Sequence, residues 1–191
     1  MLTRRKIKTL FMPIVLLGLS GCITSSHYYV LSIAPQPAMH YVNKNRSIGV
    51  KKVTIPDYLY KREIAVAKTS SQITLLSGAV WGEDLDAGLT QRLISFLQKK
   101  FQQPSVYAYP WDLDRVPDVK VSVDITRFIA KGDKVYLDAN WEAVHVSTEK
   151  RKAKLFSTTV PTSSDAASVV ESMNRAFGQL EEDVAKGIKT L

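Results

Sequence analysis

Residues that build metal sites and disulfides are scarce in this 191-residue chain, which has one cysteine and three histidines. His27, His40 and His145 do not fall at the H-x-x-x-H or H-E-x-x-H spacing that places two ring nitrogens on one helix face for zinc. A single cysteine, Cys22, cannot form a disulfide within the chain. We therefore predict that the protein holds no metal.

Sequence motifs of the common enzyme classes are also absent. No G-x-S-x-G motif places a serine on a nucleophile elbow, and neither a P-loop nor a dinucleotide fingerprint occurs. Glu83, Asp84 and Asp86 are carboxylates that acid–base chemistry can use. Their position in the first turn of a predicted helix explains them without catalysis, because negative charge stabilises that end of a helix. We predict that the protein is not an enzyme and uses no cofactor.

A hydrophobic run of membrane-spanning length is missing as well. The apolar run of residues 10–17 is too short to cross a bilayer core of about 30 Å, which needs roughly 20 residues. Pro13 also weakens a helix there. Four cations between residues 4 and 8 precede the run and small residues follow it. This three-part pattern is typical of an export signal.

Residues 19–22, Leu-Ser-Gly-Cys, resemble the bacterial lipobox, in which the signal is cut before a lipidated cysteine. We predict a signal peptide at residues 1–21, a tether lipidated on Cys22 at residues 22–26, and one periplasmic domain at residues 27–191. Several acyl chains hold a protein stably, because each buried methylene contributes about 0.8 kcal/mol. Ile23 rather than an aspartate follows Cys22, which favours sorting to the outer membrane.

The basic excess of the predicted domain is modest. The net charge of +8 falls to +4 when the four cations of the predicted signal are removed. The Lys-Arg-Lys cluster of residues 150–152 is typical of a solvated turn rather than of a phosphate-binding patch. We predict no binding to nucleic acid.

Alternation of apolar and polar residues predicts strands separated by turns. We expect strands at residues 27–33, 47–55, 63–68, 72–76, 105–109, 119–126, 135–143 and 153–160. The Lys-Gly-Asp-Lys turn after residue 130 predicts that the two longest alternating segments form an antiparallel hairpin. Residues 77–82 are predicted to be a loop that carries Trp81.

Two segments, residues 83–101 and about 165–189, have apolar residues at three- and four-residue spacing and are predicted helices. We predict four buried side chains on these helices, Leu89, Leu93, Phe177 and Leu180. The order of elements predicts a single α+β domain, with two long helices packed on a mixed, mainly antiparallel sheet.

Two short segments resemble one known family. They are Ile-Pro-Asp-Tyr-Leu at residues 55–59 and Trp-Gly-Glu-Asp-Leu at residues 81–85. With the lipobox, Tyr-Tyr-Val-Leu at residues 28–31 and the last helix, they resemble the ABC-type transport auxiliary lipoproteins of the PqiC (YmbA) type. The resemblance covers almost the whole chain after Cys22, although family members often have Ala or Ser in place of Gly82.

The resemblance implies an α/β-type fold and a non-enzymatic adaptor in an MCE-type lipid transport system. It implies an outer-membrane lipoprotein that faces the periplasm, with an MCE-domain protein and its inner-membrane permease as partners. A homo-oligomeric ring would supply a collar for the end of such a conduit. Two other functions stay open: an envelope scaffold or activator that docks on a cell-wall synthase, and a carrier of lipid or another small ligand.

The candidate contact residues come from the same segments. They are Pro56, Asp57, Tyr58, Leu59 and Trp81, with Trp111 between two prolines as a further candidate. Aromatic residues at exposed turns are favoured at protein interfaces. Alternatively, Pro56 and Asp57 only turn the chain, while Tyr58, Leu59 and Trp81 fill the core under the first helix.

Overall fold

A computed structural model describes residues 25–42, 46–110 and 116–191. These residues form eight strands, two α-helices and one short 3-10 turn. Their bounds are β1 His27–Tyr29, β2 Ile48–Lys51, the turn Asp57–Leu59, β3 Glu63–Ala67, β4 Ile73–Trp81, α1 Leu85–Phe101, β5 Val106–Tyr109, β6 Val119–Lys131, β7 Lys134–His145, β8 Arg151–Pro161 and α2 Ala166–Lys189.

β6 is the central strand of one mixed sheet. Along one side it pairs antiparallel with β7, and β7 pairs antiparallel with β8. Along its other side, the first residues of β6 pair parallel with β2 and its last residues pair parallel with β3. The sheet continues from β2 to β5 and from β3 through β4 to β1. The sheet therefore divides into two branches beside β6.

Both helices cover one face of this sheet. α1 lies against β2 and β5, and α2 lies against β6, β7 and β8. Alternate β6 and β7 side chains, such as Val121 and Trp141, are buried beneath the helices, whereas Asp124 and Asn140 are exposed on the opposite face. One buried and one solvated face explain the alternation seen in the sequence.

The helix ends follow local chemistry. The Asp165 side chain accepts a hydrogen bond from the Ser168 amide at 2.9 Å and caps the start of α2. α1 ends at Phe101 because Gln102 adopts a left-handed conformation with φ of 50°. Lys99 and Lys100 lie in the last turn, where cations interact favourably with the helix dipole.

The predicted fold class, both helices and the hairpin are confirmed, as is the burial of Leu89, Leu93, Phe177 and Leu180. The loop predicted at residues 77–82 is wrong, because β4 continues to Trp81. Its last residues are held from both sides, by β1 through His27 and by β3 through Glu63. The strands predicted at 27–33 and 47–55 are shorter than expected and end at Tyr29 and Lys51.

A buried ion pair joins the two helices. The Arg92 guanidinium contacts the Glu181 carboxylate, with Nη2 3.1 Å from Oε2, and it also donates to Asn174. Both charged side chains are almost fully buried. Burial raises the pKa of Glu181 to about 7, although Arg92 counteracts part of that effect.

Candidate functional site

The 3-10 turn Asp57–Leu59 lies beside the gap between the two branches of the sheet. Pro56 precedes it in an extended conformation, and its carbonyl accepts from the Leu59 amide at 2.9 Å. Asp57 is exposed, Pro56 and Tyr58 are half-buried, and Leu59 is buried. The segment therefore contributes both to the core and to the surface.

Tyr58 satisfies an amide that the sheet leaves unpaired. Along the side of β6 away from β7, Thr54 forms an isolated bridge with Asp124, and β3 pairs from Ala130 onward. Between them, the Phe128 amide donates to the Tyr58 hydroxyl at 3.1 Å. Burial raises the pKa of Tyr58. The hydroxyl thus acts as a structural acceptor at this position, because a buried amide left without a partner is costly.

Next to the turn is a cavity of about 370 Å³, called here the turn cavity. It is lined by residues 59–62, residues 81–85 and Tyr28. Trp81 and Leu85 are buried, whereas Tyr28 and Tyr60 are 62% and 57% exposed. The cavity thus has an apolar floor and aromatic side chains at its rim. It brings Leu59, the last residue of the segment 55–59, together with the segment 81–85.

A polar network fixes one side of this rim. Lys52 Nζ lies 2.6 Å from Oδ2 of the buried Asp86 on α1. Burial alone would raise the pKa of Asp86, but hydrogen bonds from Lys52 and from the Ala87 amide lower it below its ordinary value. Burial and the neighbouring Asp86 carboxylate raise the pKa of Tyr60. This network holds Tyr60 beside the start of α1.

Two buried polar atoms of the lining residues lack partners. They are Nε1 of Trp81 and Oε1 of Glu83, and neither has a hydrogen bond within the described part of the chain. The Glu83 carboxyl lies over Gly88 of α1, where an added Cβ would be 2.7 Å from Oε1. Native proteins pair most buried polar groups, so these two atoms require partners such as water or a ligand.

The other predicted site residues lie elsewhere or outside the described ranges. Cys22 and Trp111 both fall outside residues 25–42, 46–110 and 116–191. Within those ranges no group of three or more His, Cys, Asp or Glu side chains is arranged to hold a metal ion. Neither α1 nor α2, the helices of the described part, combines the length and apolar character of a membrane span.

Comparison with known proteins identifies the family. Residues 29–185 match the family of ABC-type transport auxiliary lipoprotein components. The chain belongs to this family. The family is one of transport auxiliary lipoproteins rather than of enzymes. The match includes all of α1, α2 as far as residue 185, and every residue that lines the turn cavity except Tyr28.

One curated relative is a transport lipoprotein, and two solved structures share the fold. The chain is 25% identical to the intermembrane transport lipoprotein PqiC of Escherichia coli (strain K12) over 143 residues, which are 72% of this chain and 75% of the relative. It matches a crystal structure of an uncharacterized protein with a TM-score of 0.69 and 21% identity, over 86% of this chain and 99% of the other. Protein XCC0632 from Xanthomonas campestris has a TM-score of 0.66 and 19% identity, over 87% and 94%. The two structures share the fold.

Sequence reasoning missed part of this site. Tyr28 and Tyr60 were not candidates, and Glu83 was explained only by its position near the start of α1. The helix begins at Leu85, so Glu83 lies before it and turns toward Gly88 instead. The sequence signal was available in Gly88, since a glycine one turn into a helix leaves room for a neighbouring side chain.

Proposed function

We propose that the protein is an outer-membrane lipoprotein that acts as a non-enzymatic adaptor in an MCE-type intermembrane phospholipid transport system. The family match over residues 29–185 carries this proposal, and the relative named as an intermembrane transport lipoprotein supports it. In this proposal residues 1–21 are a removed signal, residues 22–26 a tether lipidated on Cys22, and residues 27–191 a periplasmic domain.

The tether gives the adaptor its physical advantage. A domain fixed at a membrane has a high effective concentration for partners at that surface, so each contact can be weak. Cys22→Ser should abolish lipidation and leave an uncut precursor, as measured by incorporation of radiolabelled fatty acid. Ile23→Asp should move the protein toward the inner membrane where the aspartate sorting rule holds. Fatty acid on the serine variant at the wild-type level would contradict the anchor.

The proposed partners are an MCE-domain protein with its inner-membrane permease, and further copies of this chain in a ring. We place the MCE contact on the surface of the Asp57–Leu59 turn, where Asp57 and Tyr60 are exposed. Tyr58, Leu59 and Trp81 support that surface from below. Trp111 stays a candidate contact of equal standing.

Co-purification from the native envelope tests this function. The full chain with a C-terminal tag is extracted in mild detergent and probed for the MCE-domain protein. Wild type and the control Asp133→Lys, a charge reversal on the β6–β7 turn, should capture it, whereas Asp57→Lys should capture much less. A complex that contains a cell-wall synthase and no MCE-domain protein would contradict the transport proposal and support the scaffold alternative.

A further inference from the structure

The turn cavity has a balanced set of charges. Lys61 and Arg62 contribute two cations, and Glu83 and Asp84 contribute two carboxylates. A cavity with one sign of charge would favour an ion of the other sign, whereas balanced charges favour a ligand that carries both. Its aromatic side chains add surfaces on which an ammonium group is attracted to the ring faces.

The two unpaired atoms have opposite hydrogen-bonding characters. Trp81 Nε1 is a donor only, and Glu83 Oε1 is an acceptor when the carboxyl is ionised. A ligand that satisfies both must present an acceptor and a donor a short distance apart. Both atoms are almost fully enclosed, so a ligand reaches them only if neighbouring side chains move.

The position of the cavity in the chain favours a membrane ligand. Tyr28, at the rim, is six residues after Cys22, which is at most roughly 20 Å along a fully extended chain. If Cys22 carries the proposed anchor, the cavity lies within reach of the lipid headgroups.

We propose that the turn cavity binds the zwitterionic phosphoethanolamine headgroup of a phospholipid. The Trp81 N–H and the cations of Lys61 and Arg62 face the phosphate, and the Glu83 carboxylate accepts hydrogen bonds from the ammonium group. This inference deepens the proposed function and rests on it, because it names the lipid chemistry that the adaptor recognises. A cavity of about 370 Å³ accommodates a headgroup and leaves the acyl chains outside.

The test follows the indole N–H signals of the full chain, labelled with ¹⁵N-tryptophan and purified in maltoside detergent. The chain has three tryptophans, and Trp81→Phe identifies the signal of interest. Trp141 is an internal control because its Nε1 already donates to Asp183 at 2.9 Å. Glycerophosphoethanolamine should shift the Trp81 signal saturably. Glycerol 3-phosphate, which lacks the ammonium, and glycerophosphocholine, which has no N–H to donate, should bind about tenfold or more weakly.

One variant separates binding from folding. Glu83→Gln removes the charge, and should weaken glycerophosphoethanolamine about tenfold or more without lowering the melting temperature. The matched control Glu171→Gln, exposed on α2, should bind like wild type.

A second arm distinguishes a lipid from a free headgroup as the source. Maltoside micelles that contain phosphatidylethanolamine should shift the Trp81 signal, and micelles that contain phosphatidylglycerol should not. The inference is overturned if no probe shifts the signal, if inorganic phosphate shifts it equally, or if Glu83→Gln binds as wild type does.

Co-purification of the same variants with the MCE-domain protein is measured in parallel. If wild type captures the MCE-domain protein but binds no headgroup, only this inference fails. If, in addition, Glu83→Gln no longer captures the MCE-domain protein, the cavity is a protein-docking pocket.

Discussion

Two glycines of α2 provide a direct test of how the helix packs on the sheet. A Cβ added at Gly187 would lie 2.1 Å from Cη2 of Trp141 and 2.6 Å from its Cζ3. A Cβ at Gly178 would meet nothing closer than Arg92 Nη2 at 3.6 Å, an ordinary contact. Gly187→Ala and Gly178→Ala are therefore the same chemical change in one helix with opposite expected effects.

The magnitudes follow from two competing terms. Replacing glycine by alanine inside a helix contributes about 0.8–1 kcal/mol to stability, so Gly178→Ala should raise the free energy of unfolding by up to that amount. At Gly187 the overlap with Trp141 costs about 1–3 kcal/mol or more. The indole ring cannot move freely, because it is 3% exposed and its N–H donates to Asp183. We expect Gly187→Ala to be destabilising overall, by up to about 2 kcal/mol.

Urea unfolding of the soluble chain from Ser25 onward, followed by circular dichroism, measures both changes. Gly187→Ala combined with Trp141→Phe should be less destabilised than the sum of the two single variants, because the smaller ring removes the overlap. A Gly187→Ala protein that is as stable as Gly178→Ala would refute the described packing of α2 on β7.

Two further predictions concern hydrogen bonding and charge in the core. Tyr58→Phe leaves the buried Phe128 amide without its acceptor, so urea unfolding should report a loss of about 1–3 kcal/mol; an unchanged midpoint would show that the hydroxyl does not bridge the sheet. The pKa of Glu181, raised by burial to about 7 from an ordinary 4.5, means that the folded state binds this proton more tightly than the unfolded state. The contribution of Glu181 to the free energy of unfolding should therefore fall as the pH rises from about 4.5 to 7, and a Glu181→Gln protein with the same pH profile as wild type would contradict this.

The sequence predicted those elements whose pattern is local. The helices were predictable because their apolar spacing and the cap at Asp165 lie within each segment. The Arg92–Glu181 pair was missed, although both residues fall at three- or four-residue spacing from the buried Leu89 and Phe177. Charged residues on an apolar stripe can be satisfied only by a partner that the fold supplies, here 89 residues away.

The candidate site was only partly predictable for the same reason. Residues 55–59 and 81–85 were singled out, but the meeting of Leu59 with residues 81–85 around one cavity depends on the pairing of β4 with both β1 and β3. The end of β4 was predicted as a loop because its strand character comes from that pairing. The exposure of Tyr28 and Tyr60 at the rim likewise depends on tertiary structure.

Site-specific photo-crosslinking in intact cells tests the central proposal, docking on an MCE-domain protein, most directly. Benzoylphenylalanine replaces Tyr60, which is 57% exposed at the rim of the turn cavity, and in parallel Asp57, Tyr28 and the control Thr159 on β8. We expect an adduct at Tyr60 that contains the MCE-domain protein and is absent at Thr159. Absence of that protein from the adducts at Tyr60, Asp57 and Tyr28 alike would contradict docking through this surface.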